Sequence, residues 1–392
     1  MLELFHTIFM APFWGRGFRP FFLLGALYSI LSIGFWGMFY AGLYTPPAFI
    51  MLDPISWHAH EMIYGFSLAI VAGFLLTAVA NWTGGAPVRQ IHLAGLCCLW
   101  LSGRIVLNFD LGLPHFSVVM IAVSFIPALV VSLAIPLFKS WNKRNFIFLT
   151  LLSVLLVCDI WFLITSNIVA LHVALMMILI MVSLIGGRII PAFTVAALRR
   201  KGIETYQTDQ LKLDMAALAS LLAVALCLVF AKETLALTIC AALSCIIHGL
   251  RMYHYHTLKT FDDPLLWILH AGYGWLVIGL GLLASTGLGL LTVPIVIHAL
   301  TAGCIGSMIL GMICRVTLGH TGRELKVGGL TTFSFFAIQL AALMRVFGPI
   351  LTPEYMSEWV IGSALIWCLC FLAYLWIYTP MLFTSRPDGQ AA

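Results

Sequence analysis

Long apolar runs separated by short polar segments dominate the chain. Twelve of these runs reach roughly 20 residues, the length that an α-helix needs to cross the hydrocarbon core of a bilayer. They predict spanning helices at residues 18–42, 58–80, 90–109, 116–138, 144–165, 168–188, 211–231, 234–257, 264–285, 292–317, 330–351 and 357–383. The longest connection, residues 189–210, is too short for a soluble domain. We therefore predict an all-α polytopic membrane bundle, with a single transmembrane domain over residues 1–392.

The positions of lysine and arginine set the orientation of the predicted helices. If the N-terminus faces the cytoplasm, the two tails and the connections after even-numbered helices are cytoplasmic. These segments hold fourteen of the twenty basic residues, whereas the opposite side holds only Lys232. This bias follows the positive-inside rule, and a missed or extra helix would scramble it. Both termini are therefore expected in the cytoplasm, and the first run, which no cleavage site precedes, is expected to stay as an anchor.

The composition agrees with a protein that lies almost wholly in the membrane and is surrounded by lipid. Of its 392 residues, 62% are hydrophobic and 9% are charged, and the mean hydropathy is +1.06. A soluble domain carries roughly 25% charged residues. The net charge of +5 reflects the topology and indicates no nucleic-acid partner. The ten cysteines lie within apolar runs, where they act as small hydrophobic residues rather than as a disulfide framework.

Five arginines lie inside the predicted spans, where a charge without a partner is unfavourable. Each costs at least ~2.5–3.5 kcal/mol if it lies deep in the bilayer. Arg188, Arg251 and Arg315 fall near cytoplasmic helix ends and could extend their head groups to the interface. Arg104 and Arg345 lie well within helices 3 and 11, toward the outer half. A bound ligand with carboxylates, such as the propionates of haem, would satisfy this second pair.

Histidines mark the outer ends of several predicted helices. The stretch WHAHEM places His58, His60 and Glu61 at the head of helix 2, and His172 and His298 lie at the heads of helices 6 and 10. Imidazole is a common ligand for haem iron and copper, and Glu61 could orient His58 or carry protons. Hydrogen-bonded packing is the alternative for any one of these histidines. Their grouping with two of the arginines in one half of the membrane favours a metal site.

His58 and His60 raise a geometric question, because residues two apart differ by roughly 200° around a helix. A regular helix cannot point both rings at one site. Either the two histidines serve different partners, or the helix begins between them and the preceding loop supplies His58.

A weak internal repeat relates helices 2, 6 and 10. All three run inward and begin near a histidine. His172 and His298 are followed, 16 and 17 residues later, by Arg188 and Arg315. A period of four helices repeated three times predicts a three-fold pseudo-repeat.

Seven stretches of the sequence resemble the NnrS family of bacterial membrane proteins. In chain order they are GFRPFFLLGALY (17–28), WHAHEMIYGF (57–66), AGFLLTAVANWTG (72–84), GGRIIPAFT (186–194), PLLWILHAGYGWL (264–276), HALTAGCIGSMILGMICRVTLGHTGR (298–323) and LIWCLCFLAYLWIYTPML (365–382). The resemblance covers nearly the whole chain. It implies a multi-pass protein of the bacterial cytoplasmic (inner) membrane that contains haem and copper. It also implies a link to nitric oxide, denitrification and resistance to nitrosative stress.

Most candidate site residues fall within these stretches, although His172 lies outside them. The candidate metal ligands are His58, His60, His172, His298 and Glu61. The candidate cofactor-binding residues are His58, His60, His270, His298, His320, Arg104, Arg188, Arg315 and Arg345. Twelve helices in three groups of four also resemble the haem–copper oxidases, which is an analogy of fold alone.

Three functions fit these observations. The first is a haem and copper protein that binds or converts nitric oxide or an iron-nitrosyl species, with electrons from a redox partner. If this protein is an enzyme, it is then an oxidoreductase acting on nitric oxide. The alternative is a membrane transporter for a metal, a small anion or a nitrosyl complex, in which Gly186, Gly187 and Pro191 could interrupt helix 6. In the third, the polar residues only join helices, and the protein is a sensor or scaffold.

Overall fold

The computed structural model describes residues 9–45, 52–232 and 234–390, and in this part of the chain every regular element is a helix, without strands. Within it, twelve helices are long and apolar enough to cross a membrane, which confirms the predicted number. They are α1 (Phe18–Tyr40), α2 (Pro54–Thr83), α3 (Gln90–Asn108), α4 (His115–Lys139), α5 (Lys143–Thr165), α6 (Ile168–Arg200), α7 (Leu211–Phe230), α8 (Leu235–Tyr253), α9 (Pro264–Thr286), α10 (Val293–His320), α11 (Gly329–Leu351) and α12 (Pro353–Phe383). The protein is therefore a multi-pass membrane protein.

The chain divides into two compact units. Unit 1 consists of Met1–Ala174, Ile313–Leu325 and Phe371–Ala392, and unit 2 of Leu175–Met312 and Lys326–Cys370. The division is into two parts, and the three-fold grouping of helices stays a prediction, as does the single domain.

Unit 1 is built around α2. This helix packs along α1 and also contacts α4, which in turn packs against α3 and α5. An aromatic pair lies between α1 and α4, where the rings of Phe21 and Phe125 are 5.6 Å apart. About 78% of the most apolar window of α2 is buried, more than in any other described span. Polar groups on α2 are therefore shielded from lipid and must find partners inside the protein.

Unit 2 contains a run of three consecutive antiparallel helices, in which α7 packs on α8 and α8 on α9. The middle of α10 packs against α9 and α11. Gln339 of α11 forms hydrogen bonds with both α9 and α10. Its Oε1 accepts from Trp275 Nε1 at 2.9 Å, and its Nε2 donates to Ser307 Oγ at 2.8 Å. The side-chain amide of one residue thus ties α9, α10 and α11 together.

Several helix ends differ from the predicted bounds, including the start of α12 at Pro353 rather than 357 and the end of α8 at Tyr253 rather than 257. Helix α2 begins at Pro54, four residues before the expected position, and α6 continues to Arg200 rather than ending at residue 188. The helix α6 runs through Pro191, so the expected interruption there is wrong. Hydropathy reports the stretch that lies in hydrocarbon, whereas backbone hydrogen bonding carries α6 past that stretch into polar sequence.

Candidate functional site

The head of α2 is fixed by a conventional helix start. Asp53 precedes the helix, and its Oδ1 accepts hydrogen bonds from the backbone N–H groups of Ile55 at 3.0 Å and Ser56 at 3.1 Å. Pro54 occupies the first helical position, where its missing N–H has no consequence. Both His58 and His60 therefore lie inside the first helical segment, Pro54–His60. The alternative in which a loop supplies His58 is wrong.

Immediately after His60 the helix widens into a π-helical segment, Glu61–Ser67. This wider turn displaces backbone carbonyls from their usual partners, and side chains replace those partners. The Ser67 hydroxyl donates to Met62 O at 2.7 Å, and the Trp100 indole N–H donates to Gly65 O at 3.1 Å. Segments of this kind frequently occur at functional sites because they re-aim side chains.

The first residue of the π segment, Glu61, is fully buried and paired with Arg104 of α3. Arg104 Nη1 lies 3.0 Å from Glu61 Oε1 and 2.9 Å from Oε2. The Tyr28 hydroxyl of α1 also donates to Glu61 Oε2. The carboxylate that Arg104 needs is thus supplied by the protein, in the position that the sequence assigned to a ligand propionate.

His60 lies between two carboxyl groups. Its Nδ1 is 2.9 Å from Glu61 Oε1, and its Nε2 is 2.9 Å from Oδ1 of Asp159 on α5. An ionised carboxylate only accepts hydrogen bonds, and a neutral imidazole carries a single N–H. Satisfying both contacts therefore requires one additional proton, on the imidazole or on one of the carboxyl groups.

With that proton, the buried network of Arg104, Glu61, His60 and Asp159 carries no net charge. The four residues are each at most 5% exposed, so an unbalanced charge among them would be strongly unfavourable. Electroneutrality thus gives a physical reason for the network to retain the shared proton. Ionisable residues enclosed in a membrane span are candidates for proton handling.

A hydrogen-bonded chain leads from this network to the end of α3. Asn108 is the last residue of that helix, and its Nδ2 donates to the Tyr28 oxygen at 3.3 Å. Its Oδ1 accepts from Trp57 Nε1 at 2.8 Å. Through Tyr28, both residues connect to Glu61.

An open aromatic groove lies beside His58 in unit 1. The ring of Trp36 stacks on the His58 imidazole with centroids 4.3 Å apart and planes 9° from parallel. The same Trp36 lines the groove, which is open on one side and encloses little space of its own. Its lining residues are Phe35, Trp36, Phe39, Tyr44, Leu52, Pro54 and Trp57. Because Trp57 also donates a hydrogen bond to Asn108, a chain of hydrogen bonds links the groove to the buried network.

The head of α10 in unit 2 repeats the head of α2. The sequences PISWHA at 54–59 and PIVIHA at 294–299 share proline, isoleucine, histidine and alanine at matching positions. In α10 the first helical segment ends at His298, and a π-helical segment, Ala299–Ile305, follows directly. His298 Nδ1 lies 2.8 Å from Pro294 O. Because a carbonyl only accepts, Nδ1 carries the hydrogen, and in a neutral ring the lone pair is then on Nε2.

His270 of α9 has both ring nitrogens engaged by threonines. Thr194 Oγ1 lies 2.9 Å from Nε2 and gives its own hydrogen to Ile190 O, so Nε2 is the donor to Thr194. Thr257 Oγ1 lies 3.0 Å from Nδ1. The imidazole is 1% exposed, and this arrangement suits a neutral ring that joins three segments of unit 2.

Arg251 is buried in a second polar network of unit 2. Its Nε donates to Asp214 Oδ1 at 2.7 Å, and its Nη1 donates to Ser183 O at 2.9 Å and to the Tyr273 oxygen at 3.0 Å. Tyr273 in turn contacts His248 Nδ1 at 2.8 Å. The arginine is 3% exposed, so its head group does not extend to the interface as the sequence suggested.

The structure brings together only some of the predicted site residues. His60, Glu61 and Arg104 form one network, and His58 lies at the same helix head. His172, Arg315 and His320 also belong to unit 1, whereas Arg188, His270, His298 and Arg345 belong to unit 2. Among the described residues, no group of three or more His, Cys, Asp or Glu side chains is arranged to hold a metal ion. Haem iron needs only one or two protein ligands, so this finding bears mainly on copper.

Several residues of these sites were not expected from the sequence. Asp159 was visible as an acid in an apolar run, but its partner lies 99 residues away and only packing reveals it. Tyr28 and Asn108 carry no comparable signal. The repeated hexapeptide at residues 54–59 and 294–299 is readable from the sequence and would have matched His58 with His298.

The fold and the buried networks define a polytopic membrane protein, with twelve apolar spans in the described part of the chain and ionisable groups enclosed within them. The chain belongs to the NnrS family, because the model of that family, described as NnrS protein, matches residues 12–386. This membership supports a membrane protein associated with nitric oxide, from a family associated with metal binding. A search of curated proteins found no match to the chain.

Proposed function

We propose that this protein binds haem and copper in the bacterial cytoplasmic membrane and binds or converts nitric oxide, or an iron-nitrosyl species, in resistance to nitrosative stress. The observation that supports this most directly is the repeated helix head of α2 and α10. Each places a histidine four residues after a proline and shortly before a π-helical segment, which begins three residues after His58 and directly after His298. In α10 the Nδ1–H bond to Pro294 O leaves Nε2 as the nitrogen with the lone pair.

His298 and His58 are the ligands that we propose. A metal-binding histidine usually donates its other N–H to a carbonyl or carboxylate, and His298 already has that arrangement. His58 lies against Trp36, which lines an open aromatic groove. The aromatic side chains of this groove would contact a flat apolar group such as a porphyrin, but the space that the groove encloses is far smaller than that group. The residues present therefore fit a haem ligand by the chemistry of their side chains, and not by a preformed cavity.

The fit to copper is poorer. No described group of three ligating side chains is available, so copper is proposed from the family resemblance alone.

Haem iron with an open position would supply the binding of a diatomic ligand and one-electron chemistry. The residues of this chain would orient the group and exclude water from it. Trp57 lines the groove and, through Asn108 and Tyr28, connects to Glu61. His60 and its two carboxyl partners would hold a proton at the far end of that chain of hydrogen bonds. A redox partner at the membrane surface would supply electrons.

The test is an anaerobic optical titration of the purified haem-containing protein with nitric oxide. We expect saturable spectral changes in the wild type and their loss in His298→Ala and His58→Ala. His115→Ala, which alters an exposed histidine at the head of α4, is the matched control. Wild-type protein with full haem and no response to nitric oxide would refute the proposal.

The transporter alternative predicts uptake by metal-free protein in proteoliposomes. Transporter sites are typically formed by interrupted helices, whereas α6 is continuous and α2 and α10 widen without unwinding. Transport of a metal, anion or nitrosyl complex without haem would favour this alternative over the haem function.

A further inference from the structure

Four arginines from three separate parts of the chain meet at one end of unit 1. Arg16 and Arg19 lie at the start of α1, Arg323 follows α10, and Arg386 follows α12. The positive charges of Arg323, Arg16 and Arg386 all act on Arg19. We call these four residues the arginine cluster. The predicted topology assigns this end of the spans to the cytoplasmic surface.

Two contacts hold the outer members of the cluster in place. Arg323 Nη2 donates to Thr384 Oγ1 at 3.2 Å, and Arg386 Nη1 donates to His320 O at 3.2 Å. The ends of α10 and α12 are thereby tied together around the start of α1. The cluster is a fixed feature of unit 1, not a set of independent surface side chains.

The cluster has an excess of positive charge. Among the described residues, its one ion pair is between Arg386 and Asp388, with Nη2 and Oδ2 2.5 Å apart. Four guanidinium groups and one carboxylate leave three positive charges. Burial and then the charge of Arg386 lower the pKa of Arg16, as expected for a cation held near another cation.

Arg19 forms the buried base of the cluster and has unsatisfied donors. It is fully buried, and its Nη1 donates to the carbonyls of Leu382 at 2.7 Å and Thr384 at 2.9 Å. Its Nε and Nη2 are buried without a hydrogen-bond partner among the described residues, and so is Arg16 Nε. Buried donors on charged groups are almost always paired, so these three nitrogens indicate a missing acceptor.

We propose that the arginine cluster is a binding site for a phosphate-bearing oxyanion. Planar guanidinium groups match the oxygens of phosphate, and several arginines can share one anion. The start of α1, where Gly17 provides no capping side chain, adds the positive end of a helix dipole. Basic pockets at the cytoplasmic ends of spanning helices are suited to the phosphates of lipid headgroups. Free phosphate offers the same chemistry from solution.

The simpler explanation is that these arginines serve only the positive-inside bias. That role requires positive charges near the membrane surface, where water satisfies every donor. It does not account for a fully buried Arg19 with two unpaired nitrogens beside three other cations. Because Arg16, Arg323 and Arg386 are each partly exposed, an anion can reach the cluster from the solvent side.

The test uses purified full-length protein in a non-ionic detergent, with two probes. One is inorganic phosphate, compared with chloride at equal ionic strength. The other is phosphatidylglycerol in mixed micelles, compared with phosphatidylcholine. Binding is measured by thermal stabilisation and, for lipid, by native mass spectrometry. The proposal does not depend on haem, and neither readout uses activity.

The informative variant is the double substitution Arg16→Gln with Arg323→Gln, which leaves the contacts of Arg19 with α12 in place. We expect the affinity for the bound probe to fall about tenfold or more, because charge-assisted hydrogen bonds are lost. Arg144→Gln, which alters an exposed arginine at the start of α5, is the control and should bind as the wild type does. Without anion, the double variant should be no less stable than the wild type, since repulsion is relieved.

The outcomes distinguish the source of the anion. Retention of phosphatidylglycerol that phosphate does not displace supports a lipid headgroup. Binding of phosphate without lipid, or displacement of lipid by phosphate, supports a site open to the free anion. The proposal is overturned if the wild type binds neither probe, or if the double variant binds as tightly as the wild type.

Discussion

His60 Nε2 lies 2.9 Å from Oδ1 of Asp159, while the other ring nitrogen of His60 lies 2.9 Å from Glu61. This placement explains why the head of α2 carries residues that hydrocarbon tolerates poorly. Each of the four side chains pairs with another inside unit 1, although Arg104 Nε is buried without a hydrogen-bond partner among the described residues. The group as a whole is neutral only when it holds a shared proton. The neighbouring His58 faces a different environment, against Trp36 and the aromatic groove.

The shared proton gives the first prediction. In the wild type, we expect either a doubly protonated His60 ring in ¹⁵N NMR spectra or a protonated-carboxyl band in infrared spectra. In Asp159→Asn, the amide can donate to His60 Nε2, so a neutral ring satisfies both neighbours and both signatures should disappear. A wild-type spectrum with a neutral ring and ionised carboxylates would contradict the geometry described above.

The second prediction concerns the buried ion pair between Arg104 and Glu61. Arg104→Met should destabilise the protein by about 3–5 kcal/mol, because it leaves a buried carboxylate without its cation. Combining it with Glu61→Gln should recover most of the loss, since neither charge then remains. Unfolding in detergent, analysed as a double-mutant cycle, measures the coupling.

The control for that cycle is Lys201→Ala, which removes an ion pair with Asp262 whose side chains are 40% and 67% exposed. Its effect should stay below about 1 kcal/mol. Equal losses from Arg104→Met and Lys201→Ala would show that the buried pair has no special role.

The third prediction concerns Gly65 in the π-helical segment of α2. A Cβ there would lie 2.4 Å from Tyr28 Cε1 and 3.1 Å from Glu61 Oε2. Gly65→Ala should therefore push Tyr28 away from Glu61 and cost about 1–3 kcal/mol. Gly34→Ala lies within a described helix with nothing within 4 Å of the new Cβ, and should be neutral or slightly stabilising. Thermal unfolding of the two variants under the same conditions tests this difference in stability. Equal unfolding midpoints would contradict the close contact between residue 65 and Tyr28.

The fourth prediction concerns two adjacent glycines of α6. A Cβ on Gly187 would lie 1.7 Å from Arg251 Nη2, whereas on Gly186 the nearest atom would be 3.5 Å away. Gly187→Ala should displace Arg251 and lower the unfolding temperature clearly, while Gly186→Ala should be well tolerated. Gly186 and Gly187 differ mainly in their distance from Arg251. A lower unfolding temperature for Gly186→Ala than for Gly187→Ala would therefore contradict the placement of Arg251.

The number and order of the spans were predictable, because the length of an apolar run decides whether a helix crosses the membrane. The start of α2 was also readable from Asp53 and Pro54, although the apolar run alone placed it later. The end of α6 could not be read from the sequence, since the helix continues beyond the apolar stretch.

The partners of the buried charges were harder to predict. Arg104 and Glu61 were placed in the same outer half of the bilayer, but a contact across 43 residues depends on how α2 and α3 pack. The π segments left no trace in composition. The roles assigned to His172, Arg188, Arg315 and Arg345 stay predictions.

The central claim is that His58, at the head of α2, and His298, at the head of α10, each serve as a haem ligand. The most direct measurement is the amount of haem and of iron and copper per polypeptide in purified wild type, His58→Ala, His298→Ala and the control His115→Ala. We predict stoichiometric haem iron in the wild type and the control, and its loss from both of the other variants. Full metal content in His58→Ala and His298→Ala, or none in the wild type, would contradict the claim.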